Sequence, residues 1–123
     1  MENEIKVLLV DDQIDFLQPM AFWLKSRGCA VQFTTNAEEA MQIIKSDPPQ
    51  IVFLDIVMPE MDGPTLFKKI REFNQTIPIV MMSSYIEDKR AEKTLNFFGP
   101  YGVFFKGDDF SKALAIIESL SKK

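Results

Sequence analysis

Short apolar runs alternate with amphipathic segments along the whole chain, and this alternation constrains the fold more than any other feature. Four runs are too short for helices and rich in β-branched or large residues, namely 7–10, 51–54, 79–82 and 103–105. Nearly continuous apolar runs of this length are typical of parallel strands that are covered on both faces. A fifth run, 30–34, includes polar positions and therefore predicts an edge strand.

The segments between these runs have helical periodicity and boundary signals. Asp15 with Gln18 and Asn36 with Glu39 each fit a capping box, so we expect two helices to start there. Pro19 would then fall in the first turn, where its missing N–H costs little. Three further helices are predicted: one after 63–64, one at about 87–98 and one at about 109–120.

Five strand–helix units with short links indicate one α/β domain spanning 1–123. Right-handed crossovers between such units predict an open, doubly wound, five-stranded parallel sheet with five helices. Ligand sites in this architecture lie beyond the carboxyl ends of the strands. The polar residues at those ends are Asp11, Asp12, Asp55, Ser83 and Lys106.

The chain contains no histidine and a single cysteine, which excludes several kinds of site. Without histidine there is no Ser-His-Asp or Cys-His nucleophile and no histidine ligand for a metal. Cys29 alone cannot form a disulfide framework, so we expect a cytoplasmic protein. The net charge of −4 argues against nucleic-acid binding and favours a protein partner. No stretch approaches the roughly 20 apolar residues of a membrane span.

Each polar residue at the strand ends has an ordinary explanation alone, as a helix cap, a turn former or a solvated end. Their convergence is harder to explain in this way, because crowded carboxylates repel each other and raise one another's pKa. The cluster therefore indicates a cation, and oxygen-only ligands suit Mg²⁺ or a similar hard ion. Together with a lysine and a serine hydroxyl, this set suits phosphoryl transfer, in which a carboxylate can be the nucleophile.

Four segments in order carry a resemblance to a known family: 7–12, 51–63, 78–84 and Lys106. The stretch DIVMPEMDG at 55–63, placed after an apolar strand, is highly specific. On these residues the chain resembles the receiver domain of two-component response regulators over essentially its whole length. The resemblance implies a flavodoxin-like, CheY-like fold with sheet order 2-1-3-4-5.

The resemblance also implies roles for individual residues. Asp55 would accept a phosphoryl group, and Ser83 and Lys106 would contact that group. A site for Mg²⁺ (or Mn²⁺) would be formed by Asp11, Asp12, Asp55 and the backbone carbonyl of Val57.

The implied partners are proteins. The phosphoryl donor would be a phosphohistidine on a sensor histidine kinase or a histidine phosphotransfer protein, and the output a changed surface for a downstream protein target. Such a domain is not an enzyme acting on a free substrate, because it catalyses only its own phosphorylation and dephosphorylation. We expect a monomer or weak dimer. A stand-alone receiver and an excised domain of a larger regulator or hybrid kinase both fit the sequence.

The chain departs from the family at positions linked to switching and to phosphoryl lifetime. Relatives usually carry Tyr or Phe three residues before the lysine and a proline after it, where this chain has Val103 and Gly107. Val57 and Tyr85 occupy positions that often tune phosphoryl lifetime, and neither offers an acid or amide to orient water. We therefore expect slow self-dephosphorylation, which a half-life of seconds for the isolated phosphorylated form would contradict.

Two other functions remain open from the sequence. A docking module with a receiver fold could signal without phosphate, and Val103 and Gly107 support that alternative. A hydrolase with an aspartyl nucleophile would need a second aspartate two residues after Asp55, where Val57 stands, so this alternative is disfavoured.

Overall fold

The fold is a parallel sheet covered by helices on both faces, seen in a computed structural model that describes residues 4–58, 61–84 and 99–122. Five strands pair in the order β2-β1-β3-β4-β5. Their bounds are Lys6–Val10 (β1), Ala30–Thr34 (β2), Ile51–Asp55 (β3), Ile79–Ser83 (β4) and Gly102–Phe105 (β5). The predicted strands, their order and the edge position of β2 are thus confirmed.

Four α-helices lie within the described ranges: Ile14–Ser26 (α1), Ala37–Ser46 (α2), Gly63–Phe73 (α3) and Phe110–Glu118 (α4), the last continued by a 3₁₀ turn at Ser119–Lys122. Asp109 caps α4, where its carboxylate accepts a hydrogen bond from the Ser111 N–H at 2.8 Å. The helix expected at 87–98 lies outside the described residues, so the count of five helices stays a prediction.

The start of α1 differs from the prediction. Gln13 is the N-cap residue, because the Asp11 carboxylate accepts a hydrogen bond from the Gln13 N–H at 2.9 Å and turns the chain two residues early. Asp15 therefore lies in the first turn, and the expected Asp15–Gln18 capping box is wrong. Pro19 consequently stands inside the helix rather than in its first turn, where it leaves the Asp15 carbonyl without its usual N–H donor.

One of the two hydrogen bonds of the expected capping box forms at the start of α2. The Asn36 side chain accepts a hydrogen bond from the Glu39 N–H at 2.9 Å, as predicted. The reciprocal bond is replaced, because the Asn36 N–H donates to Thr34 Oγ1 at 3.1 Å. Glu39 uses its carboxylate to accept a short hydrogen bond from the same Thr34 hydroxyl. The helix start is thereby tied to the end of β2.

The core consists of two apolar layers, one on each face of the sheet. Successive strand residues point to opposite faces, so Leu8 packs with α2 and α3 while Val7 and Leu9 pack with α1 and α4. The largest fully buried side chains are Phe53, Phe67 and Phe104. Burial of each such side chain stabilises the fold by about 1.5–3 kcal/mol. These two layers hold the strand ends in fixed relative positions.

Gly63 fixes the approach of α3 to the end of β3. Its N–H donates to the Ile56 carbonyl at 2.7 Å. A β-carbon at this position would lie 2.5 Å from the Asp55 carbonyl oxygen and 2.7 Å from the Ile56 α-carbon. Only glycine therefore fits, because both neighbours are backbone atoms that cannot rotate away.

We expect Gly63→Ala to lower the free energy of unfolding by about 1–3 kcal/mol or more, since overpacking against backbone must displace the strand end. Gly102→Ala is the matched control, because a β-carbon there meets only Ile116 methyl groups at 3.9 Å. Urea unfolding of both variants measures the effect. Equal stability of the two variants would contradict the close approach at Gly63.

Candidate functional site

The site lies at the carboxyl ends of β1, β3, β4 and β5. Asp55 and Ser83 are the last residues of β3 and β4, whereas Asp11 and Lys106 directly follow β1 and β5. Asp11, Asp55 and Ser83 are buried, with 0%, 1% and 0% of their surface exposed, while Asp12 is exposed. The structure therefore brings together the polar residues that the sequence placed at the strand ends.

Lys106 supplies the positive charge at the centre of this cluster. Its ammonium nitrogen lies 2.7 Å from Asp11 Oδ2 and 3.4 Å from Asp55 Oδ2, and 15% of its side chain is exposed. Burial alone would lower the pKa of Lys106, but Asp11 and Asp55 outweigh this effect and raise it. The lysine is therefore held in its charged form between two buried carboxylates.

The electrostatic balance of Asp55 is incomplete. Burial raises the pKa of Asp55 to about 7, and the charge of Asp11 adds to this effect. Lys106 and a 3.3 Å hydrogen bond from the Val57 N–H to Asp55 Oδ1 act in the opposite direction. The Lys106 ammonium is thus insufficient to keep the pKa of Asp55 at its ordinary value.

Three carboxylates are arranged closely enough to share a cation. Oxygens of Asp11, Asp12 and Asp55 all lie within 4.8 Å of one another. Within the described part of the chain, neither Asp11 Oδ2 nor Asp55 Oδ2 has a hydrogen-bond donor in suitable geometry, so the ion pairs with Lys106 are their polar contacts. Buried carboxylate oxygens of this kind fit a hard divalent ion such as Mg²⁺. Val57 is half-buried, and the role of its carbonyl as a ligand stays a prediction.

The pairing of β4 with β3 sets Met82 opposite Asp55, and Ser83 is the next residue of β4. The Ser83 hydroxyl donates a hydrogen bond to the Ser84 carbonyl at 2.9 Å. Its backbone carbonyl accepts a hydrogen bond from the backbone N–H of Lys106 at 2.8 Å. The expected contact of the hydroxyl with a phosphoryl group stays a prediction. Tyr85, the other position linked to phosphoryl lifetime, lies outside the described residues.

Sequence reasoning missed two neighbours of Lys106 that come from the start of α1. Gln13 Oε1 accepts a hydrogen bond from the Lys106 ammonium at 3.3 Å, and the Phe16 ring centre lies 5.1 Å from the same nitrogen. Placing the helix start at Asp15 obscured both residues. The available signal was that Gln13 directly follows the Asp11-Asp12 pair.

Aromatic rings continue from Phe16 into the core between α1 and α4. Phe16 packs edge-on against Phe110 at 6.1 Å, and Phe110 lies 6.2 Å from Trp23 and 6.5 Å from Phe104. Val103, at the position of the usual aromatic residue, is half-buried on β5. Phe16 on α1, packed against Phe110 on α4, therefore provides an aromatic contact to Lys106.

A family model described as "Response regulator receiver domain" matches residues 7–118. The chain belongs to the response regulator receiver family. This match confirms the resemblance on which the sequence-based roles were carried over.

Individual proteins are similar to this chain in sequence or in fold. An uncharacterised 14.6 kDa protein of Leptolyngbya boryana is 33% identical over 92 residues, which cover 72% of this chain and 70% of that protein. The transcriptional regulatory protein BaeR of Escherichia coli is 31% identical over 87 residues, which cover 71% of this chain but 36% of BaeR. A two-component response regulator from Clostridium difficile has the same fold with a TM-score of 0.86 at 29% identity, covering 98% of both chains.

None of the helices in the described ranges combines the length and the apolar character that crossing a bilayer requires.

The raised pKa of Asp55 predicts a pH-dependent stability in the absence of divalent cations. The folded-state pKa of about 7 lies above the ordinary value of 3.8. The contribution of protonated Asp55 to the free energy of unfolding is therefore fully present below about pH 4 and is lost as the pH rises through 7. Asp55→Asn removes the ionisation. In EDTA, we expect the free energy of unfolding of wild type to fall between pH 5 and pH 8 by about 2 kcal/mol more than that of Asp55→Asn.

Urea unfolding at the two pH values measures this difference. Glu72→Gln is the control, because Glu72 is an exposed carboxylate on α3. Parallel pH dependence of wild type and Asp55→Asn would contradict the electrostatic description of the site.

Proposed function

We propose that this receiver is a phosphorylation-dependent switch in a two-component phosphorelay, with Asp55 as the phosphoryl acceptor. The observation that carries the proposal is the buried Asp55 carboxylate, whose Oδ2 lies beside the Lys106 ammonium and lacks a hydrogen-bond donor among the described residues. A nucleophilic carboxylate next to a fixed positive charge is suited to accept a phosphoryl group.

In the proposed reaction, an Asp55 oxygen attacks the phosphorus of a phosphohistidine on a partner protein. The new O–P bond forms as the P–N bond breaks, and the bonding electrons stay with the imidazole nitrogen. The imidazole leaves as a neutral ring when its other nitrogen already carries a proton. Lys106 provides positive charge where the phosphoryl oxygens accumulate negative charge, and the Ser83 hydroxyl donates a hydrogen bond to one of them.

Asp11, Asp12 and Asp55 would hold Mg²⁺ (or Mn²⁺), together with the Val57 carbonyl as the family resemblance implies. The ion would supply charge neutralisation for the carboxylates and the incoming phosphoryl oxygens. Its binding would also favour the ionised, nucleophilic form of Asp55, whose pKa burial raises to about 7.

The wider proposal is a cytoplasmic domain, spanning 1–123, that receives its phosphoryl group from a histidine kinase or phosphotransfer protein and changes its affinity for a downstream protein. The chain spans 36% of BaeR, so the partners and outputs of longer regulators are not transferred from them. Receiver domains are signalling switches, and we do not propose turnover of a free substrate.

A docking module that signals without phosphate is the second candidate. Its support is the replacement of the usual aromatic and proline residues by Val103 and Gly107, with the aromatic packing moved to α1 and α4. The arrangement of Asp55 and Lys106 argues for the phosphorylated switch instead. Phosphoryl uptake separates the two candidates.

We expect wild type, incubated with Mg²⁺ and phosphoramidate, to gain the mass of one phosphoryl group, and Asp55→Asn to gain none. Lys106→Met should slow uptake about 100-fold, because it removes the charge beside the reacting oxygens. Intact-mass spectrometry over time measures both effects, with Asp47→Asn as an exposed control. Absence of uptake by wild type, even with a cognate kinase, would favour the docking module.

The proposed cation site predicts that Asp12→Asn weakens Mg²⁺ binding about tenfold, because it removes one charged ligand. Asp12 is exposed, so the fold should tolerate the change. The affinity of wild type for Mg²⁺ should also rise with pH through about 7, as the competing proton leaves Asp55. Calorimetric titration measures both effects, with Asp15→Asn as the neighbouring exposed control. Unchanged affinity in Asp12→Asn would remove Asp12 from the ligand set.

A further inference from the structure

We propose that Gln13 is a positioning residue for phosphoryl transfer, whose side-chain amide keeps the Lys106 ammonium beside Asp55 when a cation engages Asp11. This inference rests on the proposed role of Asp55 as the acceptor. It adds a residue from the start of α1 to the groups that prepare the site.

Gln13 contacts both partners of the buried ion pair. Its backbone N–H donates to Asp11 Oδ1 at 2.9 Å, and its side-chain Oε1 accepts from the Lys106 ammonium at 3.3 Å. The ring of contacts is closed by the 2.7 Å approach of Asp11 Oδ2 to the same ammonium. Gln13 therefore orients the Asp11 carboxylate and the Lys106 ammonium relative to each other.

The side chain of Gln13 is not used by the helix that it begins. Gln13 occupies the N-cap position of α1, yet its side chain makes no capping hydrogen bond within the described residues. Glutamine is also not among the side chains favoured at this position. Helix capping therefore does not explain why the Gln13 side chain points towards Lys106.

Three oxygens lie near the Lys106 ammonium. Gln13 Oε1 accepts a hydrogen bond from it, whereas Asp11 Oδ2 and Asp55 Oδ2 are its ion-pair partners. A cation bound to Asp11 competes for the Asp11 oxygen, and a phosphoryl group alters the Asp55 oxygen. The neutral Gln13 amide competes less for a hard cation than a carboxylate does, so it remains available to hold Lys106.

Phe16 restricts the ammonium from another direction. Its ring centre lies 5.1 Å from the Lys106 nitrogen, within the range of a cation–π contact, and the ring is itself packed against Phe110. With Gln13 in place, the lysine is therefore held from the α1 side by contacts other than its ion pair with Asp11. Without the Gln13 oxygen, we expect the ammonium to spend less time beside Asp55.

The test compares phosphoryl uptake from phosphoramidate at saturating Mg²⁺. Gln13→Met has nearly the same length and shape but lacks the acceptor oxygen, and we expect its maximal rate to fall about tenfold. The donor concentration at half-maximal rate should stay unchanged, because Gln13 acts through Lys106 and not on the donor. Gln18→Met, on the exposed surface of the same helix, is the matched control and should react at the wild-type rate.

A double-mutant cycle distinguishes positioning from a general structural effect. In the Lys106→Met background, Gln13→Met should cause no further loss, since the group that it positions is already absent. The same tenfold loss in both backgrounds would overturn the inference, as would a wild-type rate for Gln13→Met. Failure of wild type to take up a phosphoryl group, or uptake by Asp55→Asn, would overturn the proposed function and this inference together.

Discussion

One ammonium group, that of Lys106, lies between two buried carboxylates. The electrostatics of the site depend on this excess of negative over positive charge. Removing a carboxylate from water is costly unless it is paired with opposite charge. Lys106 approaches Asp11 at 2.7 Å and Asp55 at 3.4 Å, so it pairs more closely with the first than with the second. Burial, together with the charge of Asp11, raises the pKa of Asp55 to about 7, and Lys106 offsets this rise only in part. The site is thus short of positive charge, which is the condition that a divalent cation or a further donor would relieve.

The fold creates this condition by holding strand ends rigidly. β1, β3, β4 and β5 are consecutive parallel strands of one sheet, so Asp11, Asp55 and Lys106 meet at the carboxyl ends of the strands, although Lys106 is far from the other two in sequence. Two apolar layers fix the strands, and the close approach of Gly63 to the Asp55 carbonyl fixes the turn that follows Asp55. Displacement of any of these elements would change the distances between the charged groups. Because the dielectric constant is low in the protein interior, the interaction energy of these groups depends strongly on those distances.

The start of α1 completes the site in a way that differs from a simple carry-over of family roles. Gln13 and Phe16 contact Lys106, and Phe16 leads into aromatic packing with Phe110 on α4. Val103 stands where relatives usually have an aromatic residue. Family membership is the basis for the roles proposed for Asp55, the acidic pair and the lysine. The contacts of Gln13 and Phe16 with the lysine come from the structure of this chain.

The sequence by itself determined the sheet and the identity of the residues at its edge, because strand formation follows local apolar patterning and parallel strands must bring their carboxyl ends together. It misplaced the start of α1, since Asp15 has a capping pattern but the Asp11 side chain captures the Gln13 N–H first. Only the tertiary structure decided that Asp11 and Asp55 are buried, that Asp12 is exposed and that Gln13 reaches Lys106. Burial and ion-pair distance depend on how segments remote in sequence pack together, and local patterns do not encode that packing.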